Sequence, residues 1–345
     1  NKLTVNYGNN RQTFLEFFLT EPLDTLMEKR AQFLANKQIN NPSKWYDGLY
    51  PEWNMDSGTL VTPDNYDLLV GFVQYEVASD DSGLSRPAFM AVKNASLPVQ
   101  SEVTSLDNYI QKFVWGGLQR TTNETYPYGI YGVIDWHSNR NSSDTGTGGQ
   151  LHLWRIYDYP HIIAMYEGMY RVAKFYPEIT TSLTAREYLR RAYGTAMALF
   201  TVPDQLVGWS AIQTGLMNEL VIENVIGELE SEGMTTEAAN LRSYWEQKVN
   251  YFVLNSANLF GSEYSFDSTG FETQEALAHY AVENATSLDS TNPTAYLQEA
   301  RQFMDTQMAA NIFCRGWLET PYYHYGSDYR QQAGDVYTLS YMAQM

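Results

Sequence analysis

The 345-residue chain has few cysteines, few basic residues and no long apolar runs, and each shortage excludes a class of protein. Cys314 is the only cysteine, so no intrachain disulfide can form. Lys and Arg total 22 against 40 Asp and Glu, which gives a net charge of −18. Without a basic stripe, we expect no binding to nucleic acid or to an anionic membrane surface. No apolar run approaches the roughly 20 residues that span a bilayer.

Signatures of several other chemistries are also missing. The segment SDTGTGGQ (143–150) lacks the lysine of a phosphate-binding loop, and the chain has no G-x-S-x-G nucleophile elbow. His137, His152 and His161 have no compact ligand spacing, which argues against a structural zinc. We therefore expect neither a metal nor a cofactor.

Aromatic residues are abundant, with 27 Tyr and 8 Trp. They concentrate between the predicted helices, most clearly in residues 126–161, YPYGIYGVIDWHSNRNSSDTGTGGQLHLWRIYDYPH. This segment is too polar for a core element and too aromatic for an ordinary solvated loop, which indicates a functional loop. Tyr and Trp rings pack on the C–H faces of sugars while polar groups bind sugar hydroxyls. The sequence therefore predicts a glycan-binding cleft.

Helical periodicity dominates the rest of the chain, and the best strand signal is LTVNYG near the start. Thr184 and Thr236 are predicted to cap helices, Pro293 to begin one and Gly233 to end one. The predicted helices run from about Asp24 to Ile39, Ser85 to Asn94, Ser101 to Leu118, Asp158 to Phe175, Thr184 to Thr201, Gly215 to Glu232, Thr236 to Leu254, Gly270 to Asn284, Pro293 to Ala310, and from Gly334 onward.

Short connections alternate with long aromatic ones, which predicts an all-α toroid of helical hairpins with the long connections on one face. A helical solenoid is the alternative, but no fixed repeat period is present. We expect one domain spanning residues 1–345, truncated at both ends and belonging to a longer secreted protein. Four N-x-S/T sequons favour an extracellular glycoprotein, and they begin at Asn94, Asn123, Asn141 and Asn284. The long connections are residues 41–62, 119–157, 202–214, 255–269 and 311–333.

Several segments resemble those of the six-hairpin (α/α)6 toroids found among glycoside hydrolases and polysaccharide lyases. They are FVWGGLQ (113–119), YGVIDWHSNR (131–140), YDYPHIIAMYEGMYRVAKFYP (157–177), GFETQEALAHYAVEN (270–284) and CRGWLETPYYHYGSDYR (314–330). The resemblance implies an extracellular carbohydrate-active domain acting on an oligo- or polysaccharide. It supplies no catalytic signature that can be transferred residue by residue.

Glycoside hydrolysis requires two carboxyl groups across a cleft, one protonated and one ionised. Asp135 lies between apolar Ile134 and Trp136, and Glu272 opens a helix after a turn, so we predict these two as the acid/base pair. Glu319 and Asp328 flank a second aromatic segment and are the reserve candidates. The structural alternatives are a turn role for Asp135 and a helix-dipole role for Glu272.

A larger set of aromatic, imidazole and guanidinium groups is predicted to bind the glycan, although about half of the rings should instead fill the core. The arginines could alternatively brace one loop against another. The set comprises Trp136, His137, Arg140, Trp154, Tyr157, Trp209, Tyr322, Tyr323, His324, Tyr329 and Arg330, with Arg155 as a further clamp.

The sequence leaves three functions open. A glycoside hydrolase is preferred, because the acidic chain disfavours an anionic polymer. A polysaccharide lyase is the alternative, in which Tyr or His moves protons and Arg or Asn neutralises a uronate. Two sets of residues would suit it: Tyr323 with His324, and His137 with Asn139 and Arg140. A non-catalytic carbohydrate-binding module would keep the aromatic residues and need no acid pair.

Overall fold

A computed structural model describes residues 2–16, 19–54, 57–65, 82–132, 136–255 and 270–311. This part of the chain is mostly helical, which confirms the all-α prediction. No helix within it is both long and apolar enough to cross a membrane. The helices are α1 (Leu23–Lys37), α2 (Ser82–Ser96), α3 (Gln100–Asn108), α4 (Trp136–Arg140), α5 (Asp158–Phe175), α6 (Ala185–Val207), α7 (Val221–Ser231), α8 (Thr235–Leu254), α9 (Phe271–Glu283), α10 (Ala285–Leu288) and α11 (Pro293–Asn311).

The described strands form two small antiparallel sheets. In the first, β1 (Lys2–Asn6) pairs with β2 (Gln12–Glu16), which confirms the strand signal near the start. The second joins β3 (Glu52–Asn54) to β4 (Thr59–Val61). The β1–β2 hairpin is open to solvent, since its facing residues Leu3 and Leu15 are 53% and 55% exposed.

Helix α5 lies at the centre of the packing and has the predicted bounds. It packs against both α2 and α6, and nearly all of its residues are buried. Gly168 allows the close approach to α2, because a Cβ there would lie 2.7 Å from the backbone of Ala91. Ile162, Tyr166 and Met169 lie three or four residues apart along this helix, and all are fully buried.

Local signals explain several helix ends and miss others. The Thr184 side chain accepts a hydrogen bond from the backbone of Glu187 in a capping box, as predicted. Gly233 follows α7 with a left-handed φ of 71°, which suits the end of a helix. The prediction for Thr236 is wrong, since α8 begins one residue earlier, at Thr235, and Met234 at its N-cap makes no side-chain cap. A π-helix (Tyr109–Val114) continues α3 and replaces the regular helix expected there.

The largest boundary error concerns α7. It was predicted from Gly215 but begins at Val221, because residues 214–220 are held in a non-helical path by buried side chains from α8 and α9. Buried polar residues gather where α2, α5 and α9 begin. They are Ser85, Arg86, Asp158, His161, Glu272 and Thr273. The starts of these three helices therefore carry buried polar groups.

Candidate functional site

Two connections between helices bring three predicted aromatic residues together. Trp154 and Tyr157 precede α5, and Trp209 follows α6. The Trp154 and Trp209 ring centroids lie 6.2 Å apart, and Tyr157 meets Trp209 at 6.0 Å. Trp154 and Trp209 are partly exposed, whereas Tyr157 is 1% exposed and lies in the core beneath them. Tyr157 is thus a support for this patch and not a solvent-facing platform, which corrects its predicted role.

An imidazole and a guanidinium adjoin the aromatic patch. The ring of His152 lies 4.6 Å from that of Trp154, and Arg155 sits 5.2 Å from the centre of the Tyr157 ring. Burial lowers the pKa of His152, which keeps its imidazole neutral near pH 7. Its Nε2 atom is buried without a hydrogen-bond partner. The Trp154 indole is fixed in place, because its Nε1 donates to the Thr147 carbonyl at 3.1 Å.

A buried ion pair fixes the connection that carries Trp209. Lys248 of α8 lies 2.7 Å from Glu219, and both side chains are completely buried. The ammonium group of Lys248 also donates to the Thr214 carbonyl at 2.6 Å. The Thr273 hydroxyl of α9 donates to Glu219 at 2.6 Å, and Glu219 accepts the backbone N–H of Leu216. Satisfying both buried charges in this way gives residues 214–220 one conformation.

Glu272 completes this network and is not an open catalytic acid. Its carboxylate accepts the backbone N–H groups of Asn218 at 3.0 Å and Leu220 at 3.3 Å, just before α7 begins. Asn218 has a left-handed φ of 60°, which these contacts support. Burial, reinforced by the negative charge of Glu219, raises the pKa of Glu272 to about 7, against the lowering effect of the two N–H donors. Both oxygens serve the fold, so its predicted place in an acid/base pair is not supported by this geometry.

A second aromatic group surrounds α4. Trp136 is 2% exposed and packs edge-on against Phe113 and Trp45, so it belongs to the core and not to an exposed sugar platform, contrary to prediction. His137 is partly exposed and stacks on Trp45. Arg140 pairs with Glu124 at 2.5 Å and lies over the ring of Tyr131, so it braces the connection.

Comparison with known proteins identifies the family. The model of a family described as "Family of unknown function (DUF5695)" matches residues 1–298, which is most of the chain. The chain belongs to DUF5695. No curated protein matches this DUF5695 member significantly.

One solved structure that resembles this DUF5695 chain is described as a polysaccharide lyase. It superposes with a TM-score of 0.59 at 18% sequence identity, and the match covers 88% of the DUF5695 chain. At this identity the likeness concerns the fold. The matched region is 39% of the lyase chain, so the DUF5695 chain spans well under half of that protein.

Many predicted site residues of this DUF5695 member lie outside the described residues. They are Asp135, Glu319, Asp328, Tyr322, Tyr323, His324, Tyr329 and Arg330. Within the described part of the chain, no group of three or more His, Cys, Asp or Glu side chains is arranged to hold a metal.

The four sequons have different surroundings. Asn94 is completely buried, and its Nδ2 donates to the Met90 carbonyl and to Glu102, so a glycan at this position is incompatible with the folded protein. Asn123 and Asn141 are exposed, and Asn284 is partly buried at the end of α9.

Sequence reasoning missed three residues that form or support these aromatic groups. Trp45 was passed over because its partner, His137, lies more than ninety residues away in the chain. Lys248 and Glu219 lie 29 residues apart in the chain, and only the folded structure shows that they form a buried pair. No local pattern marks any of the three.

Proposed function

We propose that this DUF5695 member is an extracellular carbohydrate-active enzyme that cleaves a uronate-containing polysaccharide by β-elimination. The observation that carries the proposal is the grouping of Trp154, Trp209, His152 and Arg155 from two connections, one before α5 and one after α6. The fold likeness to a structure described as a polysaccharide lyase adds support. We further propose that the helices form an (α/α) ring, in one domain of a longer secreted chain.

The residues of the patch match the needs of the reaction. The indoles of Trp154 and Trp209 offer stacking surfaces for sugar rings, and the Arg155 guanidinium can pair with the uronate carboxylate. That pairing favours removal of the proton from the neighbouring carbon, C5. The neutral imidazole of His152 is the candidate acceptor of this proton. As the electron pair of the C5–H bond forms the C4=C5 double bond, the C4–O bond breaks and the departing oxygen takes up a proton.

Glycoside hydrolysis has weaker support. It requires two carboxyl groups free to meet the substrate. Glu272, the one described member of the predicted acid set, already accepts two backbone N–H groups and is 6% exposed. The described patch instead offers a cation and a neutral imidazole, which are the groups that elimination uses. This reverses the preference for a hydrolase drawn from the sequence.

The test is incubation with polygalacturonate, alginate and hyaluronan, with two products measured in parallel. We expect new reducing ends and ultraviolet-absorbing unsaturated ends to appear together on one of these polymers. Reducing ends without absorbance would instead establish a hydrolase. Binding of a polymer without either product would indicate a non-catalytic carbohydrate-binding module.

Two variants connect the reaction to the patch. We expect His152→Ala to lower turnover by about 10²–10⁴-fold, the usual contribution of a general base. Arg155→Ala should mainly weaken binding of the charged polymer. Arg186→Ala is the matched control, because this exposed arginine lies at the start of α6 and donates to the Glu232 carbonyl. Unchanged turnover in the first two variants would remove this patch from the reaction.

A further inference from the structure

Trp45 is an exposed indole in a rigid setting. Trp45 is 36% exposed, so part of its indole faces solvent. The ring stacks on the His137 imidazole with centroids 4.6 Å apart and an angle of 16°. The rings of Trp136 and Tyr46 stand nearly perpendicular to it, at 5.4 Å each. The indole is therefore held on one face and at its sides.

The backbone around Trp45 is also fixed. The Asn41 N–H donates to the Asp47 carboxylate at 2.7 Å, and Lys112 pairs with the same carboxylate at 3.2 Å. Lys44 donates to Asp64 at 2.6 Å. Neither the ring nor its loop must become ordered when a ligand binds, so little conformational entropy is lost.

A continuous series of contacts joins Trp45 to the Trp154–Trp209 patch. Trp45 stacks on α4, and Arg140 of that helix lies over the Tyr131 ring. The Tyr131 hydroxyl donates to the Gln150 carbonyl at 3.1 Å. Four residues later the chain reaches Trp154. Arg140, Gln150 and Trp154 all lie between the π-helix and α5, whereas Trp45 and Trp209 join the two aromatic surfaces from other parts of the chain.

We propose that the Trp45–His137 pair is a second sugar-binding subsite, which binds another part of the same polysaccharide chain that the Trp154–Trp209 patch holds. This proposal rests on the proposed function. Sugar C–H faces pack on the indole, and the imidazole beneath it offers a polar edge for hydroxyl groups. Two separated subsites make the substrate a polymer and not a small sugar.

The experiment measures migration in native gels cast with polygalacturonate, alginate or hyaluronan, so it does not depend on turnover. We expect Trp45→Ala to weaken binding about tenfold in the same gel in which Trp154→Ala does, the scale of one lost aromatic contact. Trp45→Tyr, which keeps a ring, should restore most of the binding. Phe175→Ala is the control, because this 59% exposed ring ends α5 at the opposite end of the helix.

The outcomes separate the two proposals. If Trp154→Ala weakens binding and Trp45→Ala does not, the second subsite is wrong and the proposed function stands. If Trp45→Ala and Phe175→Ala weaken binding equally, the effect is general and the subsite is again wrong. If the unaltered protein is retarded by none of the three polymers, both proposals are wrong for this substrate class. Weakening by Trp45→Ala with rescue by Trp45→Tyr supports the subsite.

Discussion

The buried carboxyl of Glu272 gives the protein a specific dependence of stability on pH. Its pKa rises from an ordinary value of 4.5 to about 7 in the folded protein, chiefly through burial. The folded state therefore holds this proton more tightly than the unfolded chain does. Stability contributed by the protonated carboxyl is fully present below pH 4.5 and is lost as pH rises through the window from 4.5 to about 7.

The size of the effect follows from the difference between the two pKa values. Each unit corresponds to about 1.4 kcal/mol, so a difference of about 2.5 gives about 3 kcal/mol across the window. Substitution of Glu272 by Gln removes the titration. The variant should therefore lose less stability than the unaltered protein between about pH 5 and about pH 8. Below this pH window the variant should also be less stable than the unaltered protein. The NH2 group of Gln cannot accept a hydrogen bond, so one of the two backbone N–H groups loses its partner.

Urea unfolding followed by tryptophan fluorescence, at about pH 5 and about pH 8, measures how much stability each protein loses between the two pH values. Glu275→Gln is the matched control, since this residue lies one turn further along α9, is partly exposed and pairs with His279. It should keep the pH dependence of the unaltered protein. An identical loss of stability with pH in Glu272→Gln and the unaltered protein would refute the reasoning.

Three further predictions concern the core and the surface. Lys248→Met should destabilise the fold by about 3–5 kcal/mol in thermal melts, because it leaves the buried Glu219 charge without its partner. Adding Glu219→Leu should recover much of this loss. If the double variant recovers nothing, the unpaired charge is not the cause. Gly168→Ala should destabilise the folded protein by about 1–3 kcal/mol, because the added methyl group overpacks the contact with α2. In the control Gly227→Ala the methyl group meets open space, so this variant should be as stable as the unaltered protein or more stable. Equal melting temperatures of the two variants would contradict this. After secretion from a glycosylating host, peptide mass spectrometry should find no glycan on Asn94, and an occupied Asn94 would contradict its burial.

The parts of the fold that follow local rules could be predicted from the sequence. The α5 bounds match because its apolar spacing, its polar start and the proline after its end act within the helix itself. The Thr184 capping box is likewise contained in four residues. Gly233 and Pro293 take their predicted places for the same reason.

The parts that depend on contacts distant in the chain could not be predicted. The start of α7 was wrong because Glu272 and Lys248 reach residues 214–220 from other helices. Trp136 was assigned to the cleft, since nothing local shows that Phe113 and Trp45 enclose it. The grouping of Trp154 with Trp209 was expected from the type of connection alone. Only the packed structure shows which of these rings is exposed and which is covered.

The β1–β2 hairpin has a practical consequence for handling the protein. Among the residues that the structure describes, each of these two strands pairs along one edge only, and Leu3 and Leu15 add exposed apolar side chains to the sheet. Unpaired strand edges are templates for strand addition between molecules. In concentrated samples, this hairpin is therefore expected to be one place where self-association starts.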